Sequence, residues 1–159
     1  TSTCLEIFDC QQASLMLVSD DGQQLTMKAA SGHLNQDKVC DVSQPIGSGI
    51  AGYVAQHREP LLLGEELDPE IYPGLEADQR GLFAAMVVPI MVRDELVGVL
   101  NISSRRRETK YSESDLQALE VFASNAGNCI HQAERTEWMR QTIEQYRDKE
   151  SNKVDLQIT

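Results

Sequence analysis

Long apolar runs and an amino-terminal leader are absent from this sequence. No stretch reaches the roughly 18 consecutive apolar residues that a membrane-spanning helix needs. No basic region followed by an apolar run opens the chain, so no signal peptide is predicted. We therefore expect a cytoplasmic location and no membrane contact by this chain. Residue 1 is not Met, so we expect a piece of a longer protein, with a membrane segment or an output domain conceivable in a flank.

Basic residues are also scarce. The chain has 14 Lys and Arg against 25 Asp and Glu, and its net charge is −11. Such a surface repels phosphate backbones, which argues against a nucleic-acid partner. The one basic run, Arg105-Arg106-Arg107, is better explained as a solvated strand end than as a binding patch.

Cysteine pairs with metal-binding or redox spacing are missing. The four cysteines, Cys4, Cys10, Cys40 and Cys129, show no CxxC spacing, so neither a zinc site nor a thioredoxin-type motif is supported. They are best interpreted as reduced thiols of a cytosolic protein. The five methionines are typical of core filling rather than of metal ligation. We predict no metal site.

The first half of the chain predicts a hairpin and a short helix. The 159 residues suffice for one domain. Residues 3–10 resemble the end of a truncated helix, and residues 13–32 form two strand-like runs around the tight-turn signal Asp20-Asp21-Gly22. Residues 33–45 are expected to be irregular. A helix should follow, capped by Ser48 and stopped by Pro60.

The second half predicts a strand, an acidic loop, a second hairpin and a long helix. The loop within residues 61–83 is expected to be solvated rather than to bind a cation, since it lacks a calcium-loop pattern. The hairpin spans "VPIMVRDELVGVLNISSRR", residues 88–106. Ser112 to Asp115 predicts a capping box that opens a helix of roughly 35 residues. This order of elements indicates an α+β fold, an antiparallel sheet with helices packed on it.

Three stretches of the chain resemble the GAF family of small-molecule sensor domains. They are "QPIGSGIAGYVAQHREPLLL" (44–63), "AAMVVPIMVRDELVGVLNISS" (84–104) and "YSESDLQALEVFASNAGNCI" (111–130). The resemblance covers about residues 3–133. It implies a PAS-related central antiparallel sheet of five or six strands, flanked by helices, with a long C-terminal helix. Residues 1–133 would be the GAF domain, and residues 134–159 a helical linker toward an output domain.

The same resemblance implies roles for the central hairpin and a place for a pocket. Pro89 should lie at a bulge or where no N–H partner is needed. Gly98 should allow close approach of another backbone or side chain. The family pocket lies on one sheet face, which here would be roofed by residues 33–57 and 64–83.

Positions matching that pocket give the candidate ligand-binding residues. They are Tyr53, Tyr72, Arg80, Phe83, Met86 and Asn101. Arg80 would anchor an anionic ligand, although an ion pair with Glu76 or Asp78 in the same loop explains it better. Tyr72 and Phe83 could instead provide lid packing. No catalytic residue is assigned.

Several branches of the family do not fit. The free methionine sulfoxide reductase branch needs cysteines in the glycine-led helix and the following loop, where this chain has Ala51 and no cysteine from 64 to 83. The cyclic-nucleotide signature is absent after Asn101, where Ile102 and Ser103 follow. The cofactor is therefore unknown and the ligand unidentified.

Two hypotheses remain, and an enzyme is a distant third. The first is a sensory or regulatory module of a bacterial-type signalling protein, such as a two-component system, whose long helix relays the signal. Its parent could be a kinase, a cyclase, a phosphodiesterase or a transcription regulator. The second is a dimerisation scaffold without a ligand. Both predict a homodimer through the C-terminal helix, because its apolar positions outlast the domain.

Overall fold

The computed structural model describes residues 1–32, 42–64 and 83–155, with only the backbone at residues 146 and 148–155. The elements are α1 (Ser2–Ile7), β1 (Gln12–Val18), β2 (Gln24–Gly32), β3 (Ser43–Pro45), α2 (Gly49–His57), β4 (Leu61–Leu63), β5 (Ala84–Val92), β6 (Glu95–Ser104) and α3 (Glu113–Asp155). The acidic loop predicted before β5 falls on residues 65–82, which are not among the described residues.

The strands form one six-stranded antiparallel sheet in the order β3-β2-β1-β6-β5-β4. The predicted α+β class and the expected antiparallel sheet of five or six strands are confirmed. The two hairpins meet in the middle, because β1 pairs with β6 from Gln12 opposite Ser103 to Leu17 opposite Gly98. The outermost strands, β3 and β4, are each three residues long.

The first predicted hairpin is confirmed, with its turn at the predicted residues. Gly22 has φ +70°, a conformation that glycine adopts at little cost. The Asp21 carboxylate accepts hydrogen bonds from the Ser19 hydroxyl at 2.6 Å and the Gln23 N–H at 3.0 Å. These bonds hold the pKa of Asp21 below its usual range. Part of the stretch expected to be irregular is a strand, because Ser43–Pro45 pairs with the β2 edge from Gln24.

The second hairpin closes through a two-residue turn. Arg93 and Asp94 both have positive φ, +49° and +67°, which matches the turn geometry favoured by twisted hairpins. The β5–β6 register shifts between Ile90 and Met91. Pro89 lies directly before this shift, as expected for a residue that cannot donate to the strand ladder.

The helix α2 forms as predicted, but its ends differ in detail. Ser48 takes the N-cap position in an extended conformation without a side-chain capping bond to any described residue. The helix ends at His57, since Arg58 turns left-handed with φ 57° and its N–H donates to the Val54 carbonyl. Pro60 therefore follows the end of the helix rather than causing it.

Each face of the sheet has its own aliphatic cluster. One face, here called the α2 face, packs α2 residues such as Val54 against Val87 and Val99. The other, here called the α3 face, packs Leu100 and Ile102 against α1 and the start of α3; its cluster also contains Leu116, Leu119 and Ala123. Strand alternation produces this division, because successive side chains point to opposite faces.

The long helix begins with the predicted capping box, closed by Asp115 instead of a glutamate. The Asp115 carboxylate accepts hydrogen bonds from the Ser112 hydroxyl at 2.7 Å and the Ser112 N–H at 2.8 Å. By contacts the chain divides into Thr1–Gly127 and Asn128–Thr159. Within the described part of the chain, no helix has the length and apolar character required to cross a membrane.

Replacing Gly98 should destabilise the protein strongly. A Cβ on Gly98 would collide with the Met16 carbonyl oxygen in the middle of the sheet. We expect Gly98→Ala to lower the free energy of unfolding by at least about 2 kcal/mol in urea titrations. Gly64→Ala is the matched control, since a Cβ there meets no described atom within 4 Å, and a change within about 0.5 kcal/mol is expected. Equal effects of the two substitutions would contradict the close approach.

Removing the Ser112 hydroxyl should weaken the start of α3 in a pH-dependent way. We expect Ser112→Ala to cost about 1 kcal/mol at pH 7. The bonds from Ser112 hold the pKa of Asp115 below its usual range. Their contribution is therefore present above the unfolded-state pKa, about 4, and is lost as the pH falls through the folded-state value. The cost measured by urea unfolding should shrink toward pH 3, and a constant cost would contradict an ionised Asp115 as the partner.

Candidate functional site

A polar row crosses the centre of the α2 face. The central residue of the row is Asn101 on β6, which lies opposite Val87 on β5 and Ser14 on β1. Residues opposite one another on neighbouring strands have their side chains on the same face. Val87 belongs to the α2-side cluster, which places Asn101 on that face. Asn101 was predicted from the sequence as a site residue, whereas its polar neighbour Ser14 was not among the candidates.

The Asn101 side chain contains an unsatisfied acceptor. Its Oδ1 atom is buried and has no hydrogen-bond partner among the residues that the structure describes. A buried carbonyl oxygen left unpaired costs about 1–3 kcal/mol. Such a group is explained when a ligand or an ordered water completes its hydrogen bonding. Asn101 is therefore the described residue of this face best suited to accept a hydrogen bond from a bound molecule.

A second polar row lies beside the first, one step along the same face. Ser103 lies opposite Gln12 and Ala85. Its hydroxyl is 3.5 Å from the Gln12 side-chain oxygen, a long contact that leaves most of the hydrogen-bonding capacity of both groups unused. Polar residues interrupting the apolar runs of β1 and β6 were the available sequence signal for Ser14 and Ser103.

Tyr53 reaches the α2 face from the helix. It is partly buried against the α2-side cluster, and its ring stacks on His57 with the centroids 4.0 Å apart and the planes inclined by 26°. The His57 Nδ1 lies 2.9 Å from the Tyr53 carbonyl oxygen. Tyr53 and Asn101 therefore share one face of the sheet.

Phe83 and Met86 occupy other places. Phe83 precedes β5 and lines an open cavity of about 520 Å³ at the end of the sheet. Met86 is fully buried in the α3-side cluster. It cannot line a pocket on the α2 face, because strand alternation turns its side chain away from Val87 and Asn101. Tyr72 and Arg80 lie outside the described residues.

The thiols near the amino terminus are unsuited to nucleophilic chemistry. Cys4 and Cys10 are buried, and the Cys10 Sγ donates to the Cys4 carbonyl at 3.5 Å. Burial raises the pKa of the Cys4 thiol, and burial together with Cys4 raises the pKa of Cys10 to about 11. Both stay protonated near neutral pH, whereas a nucleophilic cysteine needs the thiolate. Cys129 is exposed, and Cys40 lies outside the described residues.

Metal ligation has no support in the described part of the chain. Residues 1–32, 42–64 and 83–155 contain no group of three or more His, Cys, Asp or Glu side chains arranged to hold a metal ion. What the α2 face offers is an apolar floor with a few polar groups, an arrangement typical of small-molecule sites.

Comparison with known proteins identifies the family. A family model described as GAF domain matches residues 1–131. The chain is 24% identical over 152 residues to a probable 3',5'-cyclic phosphodiesterase, pde-5, from Caenorhabditis elegans; the match covers 89% of this chain but only 21% of that protein.

Solved structures agree with this match in their fold. The second GAF domain of DevS from Mycobacterium smegmatis has a TM-score of 0.70 and 19% identity, over 87% of this chain and 92% of that one. The GAF domain of an Acinetobacter phosphoenolpyruvate-protein phosphotransferase has a TM-score of 0.71 and 22% identity, over 85% of this chain and 79% of that one. The family match covers most of the sequence, and the chain belongs to the GAF domain family.

Proposed function

We propose that this GAF domain is the sensory module of a cytoplasmic signalling protein, and that it binds a small ligand on the α2 face. The observation that carries the proposal is the buried Oδ1 of Asn101 in the middle of the sheet, which has no hydrogen-bond partner among the described residues. Ser14, Ser103 and Tyr53 on the same face supply further polar groups and an aromatic ring. A ligand that donates one hydrogen bond to Asn101 would remove the cost of its unpaired oxygen.

The strand β6 offers a short route from this ligand to the long helix. Asn101 points to the α2 face, while its chain neighbours Leu100 and Ile102 pack in the α3-side cluster with Leu116 and Leu119 of α3. A shift of β6 at Asn101 therefore changes the packing surface of the helix. For this to act as a switch, the ligand must bind one arrangement of the helix more tightly than the other.

The domain is proposed to regulate rather than to catalyse. The buried, protonated thiols argue against a thiol-based enzyme. Residues 134–159 would act as the linker to an output domain, as in a two-component sensor or a regulated enzyme. The similarity to a probable cyclic phosphodiesterase supports an enzyme as the parent protein, and no such activity is proposed for this domain itself.

Asn101 gives the sharpest test of ligand binding. We expect Asn101→Leu to raise the free energy of unfolding of the ligand-free protein by up to about 1 kcal/mol, because an unpaired oxygen is removed. The same variant should lose the saturable rise in Tm that a ligand gives the parent protein in a metabolite screen including cAMP, cGMP, purines and amino acids. The matched control is Thr26→Val on β2, at an exposed hydroxyl bonded to Ser43.

Two results would contradict this proposal. One is the absence of any saturable Tm shift across the screen at millimolar concentrations. The other is a shift that Asn101→Leu leaves intact, since the ligand would then bind elsewhere.

A ligand-free dimerisation scaffold is the second candidate. It is favoured by the exposed apolar side chains in the unit Asn128–Thr159, where Trp138 is 67%, Met139 45% and Ile143 60% exposed. A helix with exposed apolar residues and little other support gains stability by pairing with a partner helix. Both candidates include a homodimer through this helix, and they differ in whether the α2 face binds a ligand.

Charging the helix should disrupt self-association. We expect Ile143→Glu to shift the dimer dissociation constant upward by about tenfold or more in sedimentation equilibrium, because a buried apolar contact of 1.5–3 kcal/mol is lost. Gln141→Glu adds the same charge at an exposed polar position on the opposite side of the same helix and should have little effect. A parent protein that stays monomeric at several hundred micromolar would contradict pairing through this helix.

A further inference from the structure

The cavity beside Phe83 lies apart from the polar rows of the α2 face. Its volume is about 520 Å³, and it opens where β4 ends and β5 begins. Leu62 and Tyr111, which line it, pack against the cluster of the α3 face, and Leu63 belongs to that of the α2 face, but none of Asn101, Ser14 and Tyr53 lines the cavity. Small-molecule sites commonly measure about 300–1,000 Å³, so this space is large enough for a ligand of its own.

One wall of the cavity is a loop held in place by hydrogen bonds. The Ser104 hydroxyl is fully buried, lies 2.9 Å from the Thr109 hydroxyl and accepts the Arg106 N–H at 3.2 Å. The Thr109 N–H donates to the Arg106 carbonyl at 3.2 Å. The loop that carries Arg107 and Lys110 is therefore built into the end of β6. Groups on it are positioned before a ligand arrives, which reduces the entropic cost of binding.

Arg107 is oriented further by an aromatic ring. Its guanidinium carbon lies 5.3 Å from the centre of the Phe83 ring, within the range of a cation–π interaction. Phe83 is in turn fixed by its N–H, which donates to the Ser104 carbonyl at 3.0 Å. A guanidinium held by such a contact can still use its N–H donors for an anion.

Two cations at the cavity form no ion pair with the described residues, although Asp9, Glu108 and Asp115 line a neighbouring cavity that Lys110 shares. Arg106 forms an ion pair with Asp9 at 3.1 Å. Arg107 and Lys110 both line the cavity, and neither forms an ion pair with any carboxylate of the described residues. In a chain with a net charge of −11, two such cations at one cavity create a local site for an anion.

We propose that this cavity binds a small organic anion, a carboxylate or a phosphate ester with an aromatic or aliphatic body. The anionic group would lie against Arg107 and Lys110, and the body against Leu62, Ala84 and the Tyr111 ring. The site is separate from the ligand proposed for the α2 face, so the domain could respond to two molecules. Arg107, the last residue of the basic run 105–107, would then bind the anion.

Calorimetric titration with phenylacetate and with phenyl phosphate tests the site. We expect saturable binding of at least one of them, weakened about tenfold or more in Arg107→Gln/Lys110→Gln, since two charge-assisted contacts are lost. The control Lys28→Gln/Arg105→Gln removes the same net charge from exposed residues outside the cavity and should bind like the parent protein. The two probes distinguish carboxylate from phosphate-ester recognition.

Further titrations test where the probe binds and whether both its aromatic ring and its anionic group are recognised. Benzyl alcohol and inorganic phosphate, each lacking one half of the probe, should bind more weakly than phenyl phosphate. Asn101→Leu should leave the affinity unchanged, because Asn101 lies on the α2 face. The proposal is overturned if neither probe binds at millimolar concentration, if both charge variants weaken binding equally, or if Asn101→Leu abolishes it.

Discussion

The pairing of β1 with β6 is the contact on which the rest of the structure depends. It joins residues 12–17 to residues 98–103, so two local hairpins become one sheet only when these distant segments meet. The junction is tight, because Gly98 faces the Met16 carbonyl with no room for a side chain. Closing a loop of this length costs entropy before any contact forms. The complete sheet requires this pairing, and so does the surface against which the start of α3 packs.

The central strands carry different kinds of side chain on the two faces of the sheet. On the α3 face, the central strands carry aliphatic side chains that hold α1 and the start of α3. On the α2 face, they carry aliphatic side chains near α2 and then Asn101, Ser14 and Ser103. A strand buried on both sides needs no polar side chain for its own stability. Among the described residues of this face, the Asn101 Oδ1 has no hydrogen-bond partner and therefore costs stability, a cost that the proposed ligand would remove.

Local sequence signals were sufficient for most of the fold. The Asp20-Asp21-Gly22 turn and the Ser112–Asp115 cap were predicted from local patterns, and the close approach at Gly98 from the family resemblance; all three are present. They depend on chemistry within a few residues or on the absence of a side chain. The strand at residues 43–45 was missed, because three residues hold no periodicity and pair only through their position beside β2.

The candidate site was harder to predict for a related reason. Asn101 was identified by its place in a family pattern, but Met86 was assigned to the same pocket although it points to the opposite face. A pattern gives the order of residues along a strand, and a shift of one position reverses the face. Phe83 was also grouped with Asn101, yet it lines a separate cavity with Arg107. The contact between Phe83 and Arg107 joins residues 24 positions apart, so no pattern within a few residues predicts it.

The two outermost strands are short, and this limits strand addition by other chains at the edges of the sheet. β3 ends at Pro45, and β4 follows Pro60 and is succeeded by Gly64. A proline offers no amide to an incoming chain, and three-residue borders provide little template for adding another strand. Edge-to-edge aggregation is thereby discouraged even when many copies are crowded together. The homodimer proposed through α3 agrees with this, because it uses a helical surface and not a sheet edge.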